Sequence, residues 1–281
     1  MVVGENRKKL EKIAKPLRNQ GLNVIVSSIW DRPLDDGIVR HVLRTNPKLI
    51  LKDTHYHSKL RQAIFTNSDW NLILKCPVPV WLSKPHNWPA DARIIASIDP
   101  AHEHDLESTL DALILDEADM LASKLSGELH VFHAHVPLSS HRFSSPDSRV
   151  VPMAELEENF DEDRRESYEA LVTQRKVPDQ RSHWIEGEPH TLLPELATSL
   201  DAGLVVMGAI ARNKLQSIFV GSTTEKVLDR LPCDLMIVKP NWFSTPVVPG
   251  VPDYYTGTRE KLPTPHLLDD DEYGSFDEVA M

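Results

Sequence analysis

The chain is poor in cysteine, and it lacks long apolar runs. Only Cys76 and Cys233 are cysteines among 281 residues, so a framework of disulfides like that of small secreted domains is excluded. Each fits the role of a small buried apolar residue. No apolar run approaches membrane-spanning length, and the charged residues 1–9 lack the apolar core of a secretion signal. These absences predict a cytoplasmic protein without a membrane segment.

An excess of basic residues is also missing. The chain has 31 Lys and Arg against 42 Asp and Glu, a net charge of -11. Because sequence-independent binding to nucleic acid requires Lys and Arg to neutralise phosphates, we expect no direct nucleic-acid partner. Between residues 253 and 281 eight acidic residues face two basic ones, a net charge of -6. With the prolines that precede it, this composition predicts an acidic disordered tail over residues 241–281.

The motifs of common catalytic sites are absent as well. The chain contains no Gly-x-Ser-x-Gly, Cys-x2-Cys or Gly-x4-Gly-Lys-[Ser/Thr], which leaves hydrolase, dithiol and P-loop functions without support. His133 and His135 would share one face of a strand, and the stretch 102–105 reads His-Glu-His-Asp, but neither group has a third ligand at a recognisable spacing. The stretch 55–57 is expected to be a solvated loop. The sequence therefore predicts no metal site and no catalytic residue.

The second half of the chain alternates apolar strands with amphipathic helices. Apolar runs without polar alternation are typical of parallel strands covered on both faces. This order predicts a doubly wound parallel sheet with a ligand crevice at the carboxyl ends of its strands. The predicted elements are strand 93–99, helix 102–126, strand 129–136, helix 154–175, strand 182–185, helix 191–202, strand 204–207 and strand 233–240. The loop 137–152, rich in serine, is long enough to be a lid.

A loop with small residues at both ends follows the apolar strand 204–207. Gly208 and Ala211 lie at its start, and Gly221 and Ser222 lie nine residues further on, before an apolar-periodic helix. Ser222 with Glu225 forms a capping box, and the free NH groups and positive dipole end of such a helix suit an anion. The loop is therefore a candidate phosphate cradle.

This spacing resembles Gly-x2-Gly-x9-Gly-[Ser/Thr], the nucleotide-binding signature of the universal stress protein family, with Ala211 in place of the second glycine. The resemblance implies the fold of that family, which is similar to adenine nucleotide alpha hydrolases. It also implies a nonenzymatic cytoplasmic role in tolerance of stress, including DNA-damaging conditions. ATP is the implied ligand of this unit, and the fold requires no cofactor. The implied nucleotide-binding residues are Asp99, Ala134, Gly208, Ala211, Gly221, Ser222 and Thr223.

Three of these assignments have alternatives in the sequence. Asp99 precedes Pro100 at a strand end, where it would equally cap the following helix. The Ser222 hydroxyl is less free for a phosphate if it is engaged in the capping box. The methyl group of Ala211 disfavours the positive φ and close backbone approach that glycine permits, at a cost of about 1 kcal/mol or more.

The chain repeats itself at an offset of 156 residues. Pro33 falls on Pro189, residues 49–51 fall on 205–207, and Thr66 falls on Ser222. We therefore expect two tandem doubly wound units, an incomplete unit one at residues 1–88 and a complete unit two at residues 89–240. Residues 93–156 have no counterpart, so unit one lacks its first strand, first helix and second strand. Either the natural chain starts further upstream, or unit two or a second copy covers the open edge.

Unit one does not keep the cradle. At the same offset Lys52 stands for Gly208, His55 for Ala211 and Phe65 for Gly221, although Thr66 keeps the helix start. Unit one is therefore expected to be a scaffold or a small-molecule pocket. Four nearby tryptophans fit an apolar pocket, although aromatic residues of a core are the commoner explanation. The function predicted for the whole chain is a ligand-sensing stress protein. The alternatives are a slow ATP-hydrolysing enzyme and a carrier of a small apolar ligand. The four tryptophans are Trp30, Trp70, Trp81 and Trp88.

Overall fold

The protein is an α/β structure of six helices and nine strands within the residues described. The computed structural model describes residues 2–57, 62–64, 66–100, 108–135, 153–209, 227 and 230–249. The helices are α1 (Val2–Asn19), α2 (Leu34–Thr45), α3 (Asn67–Lys75), α4 (Ser108–Lys124), α5 (Met153–Gln174) and α6 (Pro189–Ser199). The strands are β1 (Ile50–Asp53), β2 (His55–His57), β3 (Gln62–Ile64), β4 (Val80–Ser83), β5 (Arg93–Ser97), β6 (Glu128–His135), β7 (Ser182–Glu186), β8 (Leu204–Gly208) and β9 (Asp234–Val238).

Seven strands form one sheet in the order β1-β4-β9-β8-β5-β6-β7. All neighbours in this sheet are parallel except β4 and β9, which are antiparallel. The five strands of unit two therefore have the doubly wound order that the alternation of strands and helices predicts. Their apolar residues are covered on both faces, as parallel strands require. The expected fold class is confirmed.

The bounds of the predicted elements differ from the structure by a few residues at most ends. The described part of the helix expected from 102 begins at Ser108, because residues 101–107 lie outside the described ranges. The serine-rich loop lies outside them too. The strand expected at 233–240 is limited to Asp234–Val238, since Lys239 and Pro240 no longer pair in the ladder. These differences leave the order of elements unchanged.

Unit one contributes two strands, β1 and β4, to the seven-stranded sheet, and α3 lies between them along the chain. The start of α3 has the expected cap: the Asp69 backbone N–H donates to Thr66 Oγ1 at 3.3 Å, and the Thr66 N–H donates to Asp69 Oδ2 at 2.7 Å. Both bonds satisfy donors that a helix end otherwise leaves unpaired. Cys76 and Cys233, each just before a final strand, are buried and unbridged, as expected.

The two units meet at their final strands. Trp81 lies opposite Met236, Val80 opposite Ile237 and Leu82 opposite Leu235, so the antiparallel pair has a local two-fold relation. Unit two thus covers one edge of unit one. The other edge, β1, has no second strand partner among the described residues. Residues 27–31, which correspond to β7 at an offset of 155, form no strand.

The backbone hydrogen bonds correct the internal alignment by one residue, to an offset of 155 instead of 156. Both ladders pair residues 30 positions apart, Ile50 with Val80 and Val205 with Leu235, so the phase of the hydrogen bonds decides between the two offsets. The Thr54 N–H donates to Ser83 O at 2.9 Å, and the Ala209 N–H donates to Val238 O at 3.2 Å in the same relation. An offset of 156 would also match residues of the two units whose side chains lie on opposite faces of the sheet. Lys52 is therefore equivalent to Met207, and Asp53 to Gly208.

Two further expectations need correction. The start of the predicted tail belongs to the folded unit, because Val247 is buried in the core that both units share. The remainder of the tail, from residue 250, lies outside the described residues. The stretch 55–57 is not a loop but β2, which pairs with β3 as an antiparallel hairpin. A hairpin here satisfies backbone groups that a bare loop would leave to water.

Candidate functional site

The described part of the candidate site is a crevice at the carboxyl ends of three adjacent strands of unit two. Asp99 follows β5, Ala134 lies near the end of β6, and Gly208 ends β8. Ser97 pairs with both Phe132 and Met207, so the three residues lie at the same edge of the sheet. The remaining expected residues, Ala211, Gly221, Ser222 and Thr223, lie outside the described ranges. The structure thus brings together three of the seven.

Asp99 presents a carboxylate at this edge. Its side chain is 53% exposed, and its backbone N–H donates to Asp111 Oδ1 of α4 at 3.1 Å. The Ile98 N–H donates to Phe132 O at 3.0 Å, which continues the β5–β6 ladder to the residue before Asp99. These bonds fix the backbone of Asp99, while its carboxylate stays accessible to a ligand. Whether it also caps a helix depends on residues outside the described ranges.

Gly208 is required by packing on the side of the sheet that faces α4. A Cβ atom at this position would lie 2.6 Å from Leu110 Cδ2 and 3.2 Å from Ile114 Cδ1. Its backbone does not adopt a positive φ. The glycine therefore allows α4 to approach the strand closely. A phosphate contact remains an additional expectation for this residue.

Aromatic and imidazole rings form one wall of the crevice. His133 and His135 share a face of β6, as predicted, and the Trp184 ring of β7 packs on both, with centroids 4.6 and 5.1 Å away. Tyr168 of α5 packs edge-on against Trp184, and its hydroxyl donates to Val131 O at 3.1 Å. The two histidines thus belong to an aromatic layer. In the described ranges, no three His, Cys, Asp or Glu side chains form a metal-binding group.

A second pair of histidines lies on the opposite face of the same strands. His130 Nδ1 is 3.0 Å from His183 Nε2, and the two rings stack at 13°. Burial lowers the pKa of His130 to about 4 and lowers the pKa of His183 as well. Both imidazoles are therefore neutral at pH 7, so that one ring donates to the other. Sequence reasoning missed this pair, because its members lie 53 residues apart.

The corresponding edge of unit one is closed by an ion pair. Lys52 Nζ lies 2.9 Å from Asp69 Oδ1, and the two side chains are 7% and 0% exposed. The same ammonium donates to Asp53 O at 3.2 Å. Asp69 thus caps α3 with one oxygen and binds Lys52 with the other. Asp53, in the place of Gly208, adds an acidic residue where a phosphate would have to approach.

Asp234 at the start of β9 joins the two units. Its carboxylate accepts from Trp81 Nε1 at 2.9 Å, from the Lys84 backbone N–H at 2.7 Å and from Trp88 Nε1 at 3.3 Å. His86 Nδ1 is also 3.3 Å away. The carboxylate is buried, and all of these groups come from the end of unit one. Sequence reasoning missed this contact, because the partners are about 150 residues apart.

An open cleft lies beside β1 in unit one. Its volume is about 120 Å³, and it is lined by residues between α1 and α2, by α2, by β1 and by α3. Its lining includes Ile29, Ile38, Ile50, Leu51, Lys52 and Leu72.

In the described ranges, every helix is too short or too polar to traverse a lipid bilayer.

Comparison with known proteins agrees with the fold. A sequence profile described as the universal stress protein family matches residues 104–239. Universal stress protein E of Escherichia coli strain K12 is 29% identical over 251 residues, which cover 88% of this chain and 78% of the relative. Universal stress protein E of Photorhabdus laumondii is 29% identical over 242 residues, 81% of this chain and 72% of the relative.

Two solved structures have a similar fold. A functionally unknown protein from Pseudomonas aeruginosa PAO1 is 28% identical, with a TM-score of 0.70 over 83% of this chain and 78% of the other. A universal stress protein from Archaeoglobus fulgidus DSM 4304 shares the fold at 19% identity, with a TM-score of 0.59 over 84% and 79% of the two chains.

Fold and crevice together define a tandem α/β protein whose second unit is a complete doubly wound sheet. Unit two matches the model of the universal stress protein family over residues 104–239. The chain is similar to universal stress protein E along both of its units. This similarity supports a function in the response to stress.

Proposed function

We propose that the protein is a nonenzymatic, cytoplasmic stress protein that binds one adenine nucleotide per chain in the crevice of unit two. The observation that carries this proposal is the contrast between the two strand edges. Unit two presents the exposed Asp99 carboxylate beside Ala134 and Gly208. Unit one has Asp53 and a buried ion pair at the same place. We infer that the first arrangement suits a ribose and phosphates, whereas the buried ion pair and the added carboxylate disfavour them.

Titration calorimetry with ATP tests the stoichiometry and the site. We expect one nucleotide per chain, weakened at least about tenfold by Asp99→Asn, because a hydrogen bond to a charged group contributes about 1.5 kcal/mol or more. Asp53→Asn, at the equivalent edge of unit one, is the matched control and should leave the affinity unchanged. Two sites per chain, or equal effects of the two substitutions, would contradict the proposal. Gly221→Phe should also abolish binding, by analogy with Phe65 in unit one.

Phosphate release in the same samples separates binding from slow hydrolysis. The absence of a catalytic motif in the sequence favours binding alone. Turnover that Gly221→Phe abolishes would show an ATP-hydrolysing enzyme instead. A survival assay addresses the cellular role: loss of the protein should sensitise cells to DNA-damaging conditions, and Asp99→Asn should fail to restore tolerance.

The cleft beside β1 favours a second candidate, the binding of a small apolar ligand in unit one. Its walls are mostly apolar, with Ile29, Ile38 and Ile50 among them. Native mass spectrometry of the purified protein should then retain an apolar molecule. Its occupancy should fall in Ile38→Asn and stay unchanged in Asp99→Asn. A protein that purifies without any such molecule would argue against a carrier.

A further inference from the structure

The cleft beside β1 is small, and its size limits what it can bind. Its volume is about 120 Å³, whereas an apolar cavity of about 150 Å³ holds one benzene molecule. The cleft therefore has room for one molecule of about five or six non-hydrogen atoms. A nucleotide or a lipid chain would leave most of its atoms outside.

The walls of the cleft are largely aliphatic. Ile38 of α2, Ile50 of β1 and Leu72 of α3 line it together with Ile29 and Leu51. Leu72 is fully buried, whereas Ile29 and Leu51 are exposed. The cleft thus has a buried apolar end and an opening to solvent, through which a small molecule can enter.

The wall between α1 and α2 is held in place without a ligand. Arg40 Nε donates to Asp31 Oδ2 at 2.8 Å, and Arg40 Nη2 donates to Asp31 Oδ1 at 2.8 Å. Gly37 of α2 allows this approach, because a Cβ atom at its position would lie 2.5 Å from Asp31 Cβ. The segment that carries Ile29 is therefore fixed against α2, and a preformed site loses less free energy on binding.

The charged side chains that line the cleft already have partners of opposite charge. Asp31 is paired with Arg40, and Lys52 Nζ lies 2.9 Å from Asp69 Oδ1. A charged ligand would leave water without a further opposite charge to receive it, which is unfavourable. The cleft therefore favours an uncharged molecule.

Hydrogen-bonding capacity nevertheless remains at the cleft. The Lys52 ammonium has three N–H groups, and its partners in the described part of the chain are Asp69 Oδ1 and, at 3.2 Å, Asp53 O. Burial and the nearby Arg44 lower the pKa of His41, so this lining ring is neutral at pH 7 and offers one donor and one acceptor. A hydroxyl group suits such surroundings, because it both donates and accepts.

We propose that the cleft of unit one binds an uncharged aliphatic alcohol of about four to six carbon atoms. The alkyl group packs against Ile38, Ile50 and Leu72, and the hydroxyl group meets the polar groups of Lys52 and His41. This inference rests on the proposed binding of a small apolar ligand in unit one, and it specifies the size and polarity of that ligand.

A series of unbranched alcohols tests the size of the ligand. NMR titration at pH 7 with 1-butanol, 1-pentanol, 1-hexanol and 1-octanol should give an affinity that rises about fourfold per carbon up to hexanol, because each CH2 group leaves water, and then stays level. Pentanoate, which is charged at this pH, should bind at least about tenfold more weakly than 1-pentanol. An affinity that keeps rising to octanol, or equal binding of pentanoate, would overturn the proposal.

Substitutions locate the site. Ile38→Phe fills the cleft from α2 and should abolish detectable binding of 1-pentanol, and Leu51→Trp should do the same from the exposed opening, where it disturbs no buried packing. Met120→Phe adds a phenyl ring at an exposed position of α4 and is the matched control, which should bind normally. Circular dichroism confirms that each variant is folded. Normal binding in both cleft variants would place the alcohol elsewhere and overturn the proposal.

The hydroxyl group has its own test. His41→Leu keeps the cleft apolar but removes the imidazole, so 1-pentanol should bind about fivefold more weakly, the contribution of one hydrogen bond. An unchanged or higher affinity in His41→Leu would overturn the selection of an alcohol.

The outcomes separate this inference from the proposed role of unit one. If a longer apolar molecule binds more tightly than 1-pentanol and Leu51→Trp prevents its binding, unit one binds apolar ligands, but the inferred class is wrong. If no alcohol binds and no apolar molecule copurifies with the protein, the ligand-binding role of unit one fails together with this inference. Neither result bears on nucleotide binding in unit two.

Discussion

The two units share a strand-helix-strand core, but equivalent positions carry different residues. Leu51 and Val206 are equivalent, yet Leu51 is 47% exposed and Val206 is fully buried. The difference arises because α4 covers β8, whereas no described helix covers that face of β1. Lys52 replaces Met207, and Asp53 replaces Gly208. The residue type at each position of this fold thus depends on the elements that pack against it. Equivalent residues of the two units can be compared only once the strands have been aligned in the correct register.

The largest difference between the side-chain contacts of the two units is at Asp234, because the equivalent residue in unit one is Pro79. Asp234→Ala should lower the free energy of unfolding by about 4 kcal/mol, because it leaves two indole N–H groups and a backbone N–H without their charged acceptor. Urea unfolding measures the loss. Asp234→Asn keeps one acceptor oxygen and should cost less. A loss below about 1 kcal/mol for the alanine variant would show that the contact is not required.

Lys52→Met makes unit one resemble unit two at this position. It leaves Asp69 Oδ1 buried without its cation, so we expect a loss of about 3 kcal/mol in unfolding free energy. Adding Asp69→Asn should recover about half of that loss, since the uncompensated charge is then removed. If both variants were equally destabilised, the ion pair would not explain the effect.

The His130–His183 pair gives unit two an acid sensitivity, and burial also lowers the pKa of His41 in unit one. The folded-state pKa of His130 is about 4, below its ordinary value. The contribution of the neutral ring to the free energy of unfolding is therefore complete above about pH 6.5 and is lost as the pH falls towards 4. We expect a fall of about 2 kcal/mol over this range, reduced from the full shift because His183 retains solvent contact. His130→Phe should flatten this pH dependence in urea unfolding. A dependence that survives the substitution would assign it to other groups.

Gly208→Ala tests the close approach of α4. The added methyl group would overlap Leu110, so a loss of about 1–2 kcal/mol is expected in thermal or urea unfolding. Asp53→Ala, at the equivalent and exposed position of unit one, should change stability by less than about 0.5 kcal/mol. Equal losses in the two variants would remove the packing explanation.

The β1 edge of unit one, which has no second strand partner in the described part of the chain, predicts self-association. An exposed strand edge with apolar side chains tends to recruit another chain, and Leu51 contributes the apolar side chain of β1. Sedimentation should show oligomers at micromolar concentration that Leu51→Lys disperses, with little change in monomer stability. A protein that is monomeric before the substitution would contradict this expectation.

Periodicity and turn residues were sufficient to predict the strands and helices of unit two. The reason is local: apolar runs such as 204–207 leave few alternatives once small residues or caps bound them. The capping box at Thr66 was predictable on the same ground. The hairpin at β2 was not, because a three-residue strand depends on its partner and carries almost no pattern of its own.

For the candidate site, the sequence identified Asp99, Ala134 and Gly208 at one sheet edge, which follows from the strand order alone. It did not reveal why Gly208 is glycine, since the contact with Leu110 joins residues 98 positions apart. The equivalence of Lys52 with Gly208 failed for a related reason. A one-residue slip changes few letters in an apolar run, but it reverses the face of every side chain.

The sequence by itself determined the fold class, the tandem repeat and the strand edge where a ligand would bind, because these depend on residue order and on local periodicity. Only the tertiary structure decided the alignment of the two units and the burial of Lys52 with Asp69. It also decided that Asp234 accepts hydrogen bonds from unit one and that His133 lies behind Asp99. Each of these depends on contacts between distant residues, whose strength comes from burial and geometry, which residue types alone do not show.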